Sequence, residues 1–152
     1  MKNKKDIRIA IVGSDFQKFV TDNLESNCIT TLIKNGVRRD RIATVRVPGS
    51  LEIPLAALLL AKKKRFDAII AFGAIHKGET YHFQQVADEC IRGCMNVSLE
   101  YELPVIYEVL AVYDIRDAEV RATRKKENRG VEAALSALTM VAVTRTLRKK
   151  TS

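Results

Sequence analysis

Cysteine, histidine and long apolar runs are all scarce in this sequence. Its three cysteines, Cys28, Cys90 and Cys94, are odd in number and form no Cys-x-x-Cys pair, so neither a disulfide framework nor a zinc site is indicated. Cys90 and Cys94 lie one helical turn apart and read as small apolar side chains packing from one face. The longest mainly apolar stretch, Ile53 to Ala61, is too short for a bilayer crossing. The opening residues MKNKKD lack the apolar stretch of a secretory signal. No linker, repeat or low-complexity segment breaks the chain. The expectation is one soluble, cytoplasmic domain over residues 1–152, with 1–6 and 149–152 flexible and no membrane association.

The composition is that of a globular protein, with 47% apolar and 29% charged residues. The net charge of +8 is spread over Lys2 to Lys5, Arg38 to Arg41, Lys62 to Arg65, Arg121 to Arg129 and Arg145 to Lys150. A nucleic-acid binder tends to gather its charge on one face. Most of these clusters sit at helix ends or in loops and read as solvated surface, so no nucleic-acid partner is expected.

Ile7 to Val12, Ala43 to Val47, Ala68 to Ile75 and Val105 to Val112 are short β-branched or apolar runs, the pattern of buried parallel strands. Helical stretches separate them: Asp22 to Asn35 ending at Gly36, Leu51 to Lys63, and His82 to Glu100. A short helix from Asp114 to Arg121 and a long one from Val131 to Leu147 follow. The alternation predicts a doubly wound α/β fold with a four-stranded parallel sheet. Ligands in such sheets bind beyond the carboxyl ends of the strands.

Four loops meet that description, and the third, Ile75 to His82, carries the most chemistry. Gly78 allows a turn, and Glu79, Thr80 and Tyr81 then present amides at a helix start, where an anion is favoured. Thr80 reads equally as a plain helix N-cap. An imidazole titrates near neutrality, so His82 suits proton transfer to anything held there, although a lone histidine also serves structure alone. Phe16, after the first strand, is either core or a face for a planar ring. In Pro48 to Pro54, Glu52 either answers the helix dipole or accepts from ligand hydroxyls. Arg121, Arg124, Lys125, Lys126 and Arg129 crowd nine residues, which is either a solvated loop or a phosphate grip.

Five ordered motifs, IRIAIVGSDF, VRVPGSLEIPLAA, FGAIHKGETYHF, LPVIYEVL and RATRKKENRGVEAALSAL, resemble the 6,7-dimethyl-8-ribityllumazine synthase family from about Ile7 to Leu147. The resemblance implies a flavodoxin-like three-layer α/β/α sandwich and a transferase of riboflavin biosynthesis. That enzyme condenses 5-amino-6-ribitylaminouracil with 3,4-dihydroxy-2-butanone 4-phosphate, releasing phosphate, without metal or redox cofactor.

By the same resemblance, Phe16 stacks on the pyrimidine, and Ser50, Leu51 and Glu52 form the turn that holds the ribityl chain. Ala74, Ile75 and His76 flank the pyrimidine, and Glu79 and Thr80 supply phosphate-binding amides. His82 transfers protons. Tyr107 and Arg121 come from the adjacent subunit of a pentamer, which some members assemble into a sixty-subunit shell, and Lys125 matches a basic substrate-binding position, with riboflavin synthase a further candidate partner. Departures from the family pattern are Gln17 for Asn, Leu51 for Phe, His76 for an apolar residue, Lys77 for Arg, Tyr81 for a small residue or Pro, and Glu108 for Gly.

Overall fold

The computed structural model describes residues 3–149. Four parallel strands, β1 (Ile9–Ser14), β2 (Ile42–Val47), β3 (Ala68–His76) and β4 (Val105–Val112), form one sheet in the order β2-β1-β3-β4. Five α-helices connect and cover it: α1 (Lys18–Lys34), α2 (Ile53–Lys62), α3 (His82–Tyr101), α4 (Ile115–Thr123) and α5 (Arg129–Lys149). The expected doubly wound α/β/α arrangement is therefore present.

Position in the sheet explains the strand sequences. Central β1 is buried along its whole length, and β3 along all but its last residue, because helices cover both faces. Edge strands β2 and β4 carry partly exposed positions. Residues alternate between two cores. Ile9, Ile11, Ile70 and Phe72 face α1, α4 and α5, while Ala10, Val12, Ile69 and Ala71 face α2 and α3. Burying one such Ile or Phe side chain contributes about 1.5–3 kcal/mol.

Helix α1 ends as its sequence announces. Gly36 takes φ 97°, its N–H donates to the Ile33 carbonyl, and the Val37 N–H reaches back to Leu32. That is a Schellman closure with the buried pair Val37 and Leu32 as its apolar contact. At the start of α5, Gly130 passes so close to α1 that an added Cβ would lie 2.3 Å from the Leu24 carbonyl oxygen.

The structure corrects some expected boundaries. Strand β1 starts at Ile9 rather than Ile7 and runs on through Gly13 and Ser14, which pair with Arg46 and Val47 of β2. Helix α1 begins at Lys18, not Asp22, with a Lys18–Asp22 ion pair across its first turn. Helix α5 is long and apolar enough to cross a membrane by length and composition, although polar residues interrupt its apolar run. It packs Gly130, Ala133, Ala134, Ala137 and Val141 into the core it shares with α1. Of the ends expected to be flexible, Lys4–Asp6 form a 3-10 turn and Lys149 closes α5. Residues 1–2 and 150–152 lie outside the described residues.

Candidate functional site

The strand order reverses between β1 and β3, and the carboxyl ends of those strands open into a cavity of about 560 Å³. Three segments position its walls. The β1–α1 corner is held by an extension of the β1–β2 ladder, in which the Asp15 N–H donates to Val47 O (2.8 Å) and the Phe16 N–H to Pro48 O (3.0 Å). Arg46, hydrogen-bonded to Asp22 (2.6 Å), ion-paired with Glu25 (3.1 Å) and 3.5 Å from Asp15, ties β2 to the same corner. So fixed, the Phe16 ring stays 55% exposed at the cavity wall, which resolves its reading in favour of an exposed face rather than core.

The second wall is the turn after β2. Ser50–Glu52 form a 3-10 turn running into α2, with Pro54 at the helix start. Ser50, Leu51 and Glu52 all line the cavity. Leu51 is half exposed, whereas the Ser50 hydroxyl is buried without a hydrogen-bond partner among the described residues. A buried, unpaired hydroxyl is costly enough to invite a partner.

The third wall is the end of β3 and the start of α3. Ala74, Ile75, His76, Gly78, Thr80, His82 and Phe83 contribute. Tyr81 rather than Thr80 takes the N-cap position, and no side chain caps α3. The expectation of a Thr80 cap is thus not met: the chain turns one residue later, and the Gln84 and Gln85 N–H groups close on the Tyr81 carbonyl. His82 is the first residue of α3 and is exposed. Glu79, also exposed, lies outside the cavity lining.

Tyr107 and Arg121 do not join this cavity. They line a second groove of about 300 Å³ on β4, together with Glu108, Arg124 and Arg129. Alternation along β4 separates their directions. Tyr107 packs toward α3, against the core cluster that holds Cys90 and Cys94. Glu108 faces α5, where Arg129 donates to both its carboxylate oxygens through Nε (3.0 Å) and Nη2 (2.9 Å). Burial pushes the Glu108 carboxyl above its ordinary range, and the Arg129 guanidinium pulls it part of the way back. The remaining terminal nitrogen of Arg129 donates to Glu132 at 2.5 Å. Arg121 leans on its own helix through the Asp117 carbonyl (2.9 Å). Lys125 is exposed on the following loop and lines neither cavity.

Sequence reasoning missed two residues that shape these sites. Buried Asn128 donates to the Ala122 and Arg124 carbonyls and accepts from the Gly130 and Val131 N–H groups, so it joins α4 to α5 and caps the latter. Its signal was an Asn two residues before Gly130, just ahead of a long helical pattern. Gln17 adopts the left-handed region and reaches His76; nothing local in the sequence indicates that contact. Cys90 and Cys94 are buried on one face of α3, as their spacing suggested, and no metal-holding cluster of His, Cys, Asp and Glu occurs among the described residues.

Compared with known families, residues 6–145 match the family model described as 6,7-dimethyl-8-ribityllumazine synthase.

Proposed function

Because the chain belongs to the 6,7-dimethyl-8-ribityllumazine synthase family, we propose that its reaction takes place in the cavity at the carboxyl ends of β1 and β3, completed by the basic groove of a neighbouring subunit. The protein is a transferase of riboflavin biosynthesis that acts on small molecules and assembles with copies of itself. It joins 5-amino-6-ribitylaminouracil to 3,4-dihydroxy-2-butanone 4-phosphate and releases phosphate.

The convergence of Phe16, Ser50, Glu52, Ala74, Ile75, His76, Thr80 and His82 on one cavity carries this reading. The flat pyrimidine lies against the exposed Phe16 ring, with the backbone of Ala74 and Ile75 along its edge. The ribityl hydroxyls meet the turn at Ser50, Leu51 and Glu52, where the unpaired Ser50 hydroxyl finds a partner. The phosphate of the second substrate sits at Glu79 and Thr80, ahead of the uncapped start of α3. His82, on the first turn, moves protons as the amine adds to the ketone, water and phosphate leave, and the second ring closes.

A phosphate dianion needs more than amides, and the arginines stand in a separate groove on β4. Assembly places the Arg121, Lys125 and Tyr107 of one subunit opposite the Phe16 cavity of the next, as in a pentamer. A dissociated subunit would then hold only half a site. The cytoplasm, and riboflavin synthase as consumer of the product, complete the proposal. Purified protein supplied with both substrates should release phosphate and develop the lumazine chromophore together. Tight binding of lumazine without turnover would instead indicate a binding protein on the same scaffold.

A further inference from the structure

Gln17 is an outlier at the cavity mouth. It occupies the left-handed region (φ 58°, ψ 48°) at the N-cap of α1, a conformation that disfavours any β-carbon, and its side chain makes no capping bond. Gly, Asn or Asp would take this position with less strain. The side chain reaches instead across the sheet, where its Nε2 lies 3.1 Å from Nδ1 of His76, 59 residues away in sequence. His76 is the last residue of β3 and lines the cavity with Phe16. The two rings are parallel to within 5°, with centroids 6.3 Å apart.

These contacts define the chemistry left to the imidazole. An amide N–H from Gln17 donates to Nδ1, so Nδ1 is the unprotonated nitrogen and the neutral ring carries its proton on Nε2. We propose that Gln17 is a positioning residue that fixes His76 in this tautomer, and that the His76 Nε2–H donates to a carbonyl oxygen of the flat heterocycle lying along Phe16. The inference rests on the cavity being the pyrimidine site, since a uracil ring supplies such a carbonyl. It separates the substrates: His76 recognises the ring and makes no contact with the phosphorylated ketone.

Two measurements test it on the intact oligomer. The ¹⁵N shifts of the imidazoles report the tautomer directly, and with two histidines in the chain a His82→Ala sample assigns them. Nδ1 should be unprotonated in the wild type and lose that preference in Gln17→Leu. In steady-state assays, His76→Phe keeps a flat face without the donor, and loss of one neutral hydrogen bond should raise KM for the pyrimidine about two- to tenfold. Gln17→Leu should act in the same direction, and His76→Gln, which can still donate, should recover part of the loss. KM for the phosphorylated ketone should stay within about twofold throughout.

A protonated Nδ1 would overturn the inference, as would equal changes in both KM values or none in His76→Phe. These failures leave the functional reading standing if the wild type turns over. Absence of wild-type turnover brings down that reading and the inference together.

Discussion

Substituting Gly130 by Ala tests whether the basic groove depends on the close approach of α5 to α1. In an unobstructed helix interior, Gly→Ala stabilises by about 1 kcal/mol, and by less at a helix start. Here the new methyl would sit 2.3 Å from the Leu24 carbonyl oxygen and 3.1 Å from that residue's C and Cα. Because a Cβ essentially never approaches closer than 3.0 Å, the helices must part by roughly 0.7 Å, and backbone rather than a mobile side chain has to yield. Overpacking of this kind costs typically about 1–3 kcal/mol. The clash outweighs the propensity gain, giving a net loss on the order of 1 kcal/mol or more.

The displacement also reaches the site. Arg129 precedes Gly130 and is held to Glu108 through two hydrogen bonds, and Asn128 caps the same helix start. A shift approaching 1 Å in groups that position a substrate can cost about 100-fold in rate. Urea unfolding at matched protein concentration, which holds subunit dissociation constant, should show a lower midpoint with an unchanged slope. Initial rates should show KM for the phosphorylated substrate rising more than KM for the pyrimidine. A variant as stable as the wild type or more so would refute the close α1–α5 packing. A destabilised variant with unchanged kinetics would refute its link to the groove.

Three further outcomes are expected. Replacing His82 by Ala should lower kcat by about 10²–10⁴-fold if the imidazole transfers protons, and a loss below tenfold in initial-rate assays would remove it from that role. Arg121→Lys should raise KM for the phosphorylated ketone and spare the pyrimidine, because Lys cannot offer a bidentate fork; equal effects on both would contradict the assignment. Glu108 gives a pH signature. Its carboxyl is raised on folding above the ordinary 4.5 by burial, against the opposing pull of Arg129, so its contribution to stability is fully present below 4.5 and is lost as pH rises through the folded value. Glu108→Gln removes that titration. Urea midpoints should therefore favour the variant increasingly as pH rises across that window, and a trend in the opposite direction would show that the Arg129 pairing dominates.

Much of the architecture was legible because central strands of a doubly wound sheet must be apolar on both faces. The runs at Ile7–Val12 and Ala68–Ile75 therefore stand out, and Gly36 marks the end of α1. Boundaries set by pairing rather than by hydrophobicity were not. Nothing in Gly13 or Ser14 announces a strand, and they belong to β1 because Arg46 and Val47 lie opposite. The α3 start shows the same limit, since a Thr in the right place predicts a cap that the chain makes no use of.

Among the site residues, those on consecutive strand ends could be anticipated to meet, and Phe16, Ser50, His76 and His82 do line one cavity. The separation of Arg121 from that cavity depends on which face of β4 each residue takes and on the path of α4, and only the family resemblance pointed to it. The Gln17–His76 bond joins residues 59 apart through a backbone conformation that Gln rarely adopts. No periodicity or spacing encodes that contact.

The division of the site between subunits is the central claim, and mixed assembly tests it most directly. Phe16→Ala and Arg121→Ala disable opposite halves of the proposed site, so each variant alone should be nearly inactive. Dissociating the two together and reassembling them should restore activity, because some interfaces then pair an intact Phe16 cavity with an intact Arg121 groove. Recovery of a substantial fraction of wild-type phosphate release, with the lumazine chromophore forming in step, is the result expected. Reassembled mixtures no more active than the sum of the separate variants would contradict a site shared between neighbours.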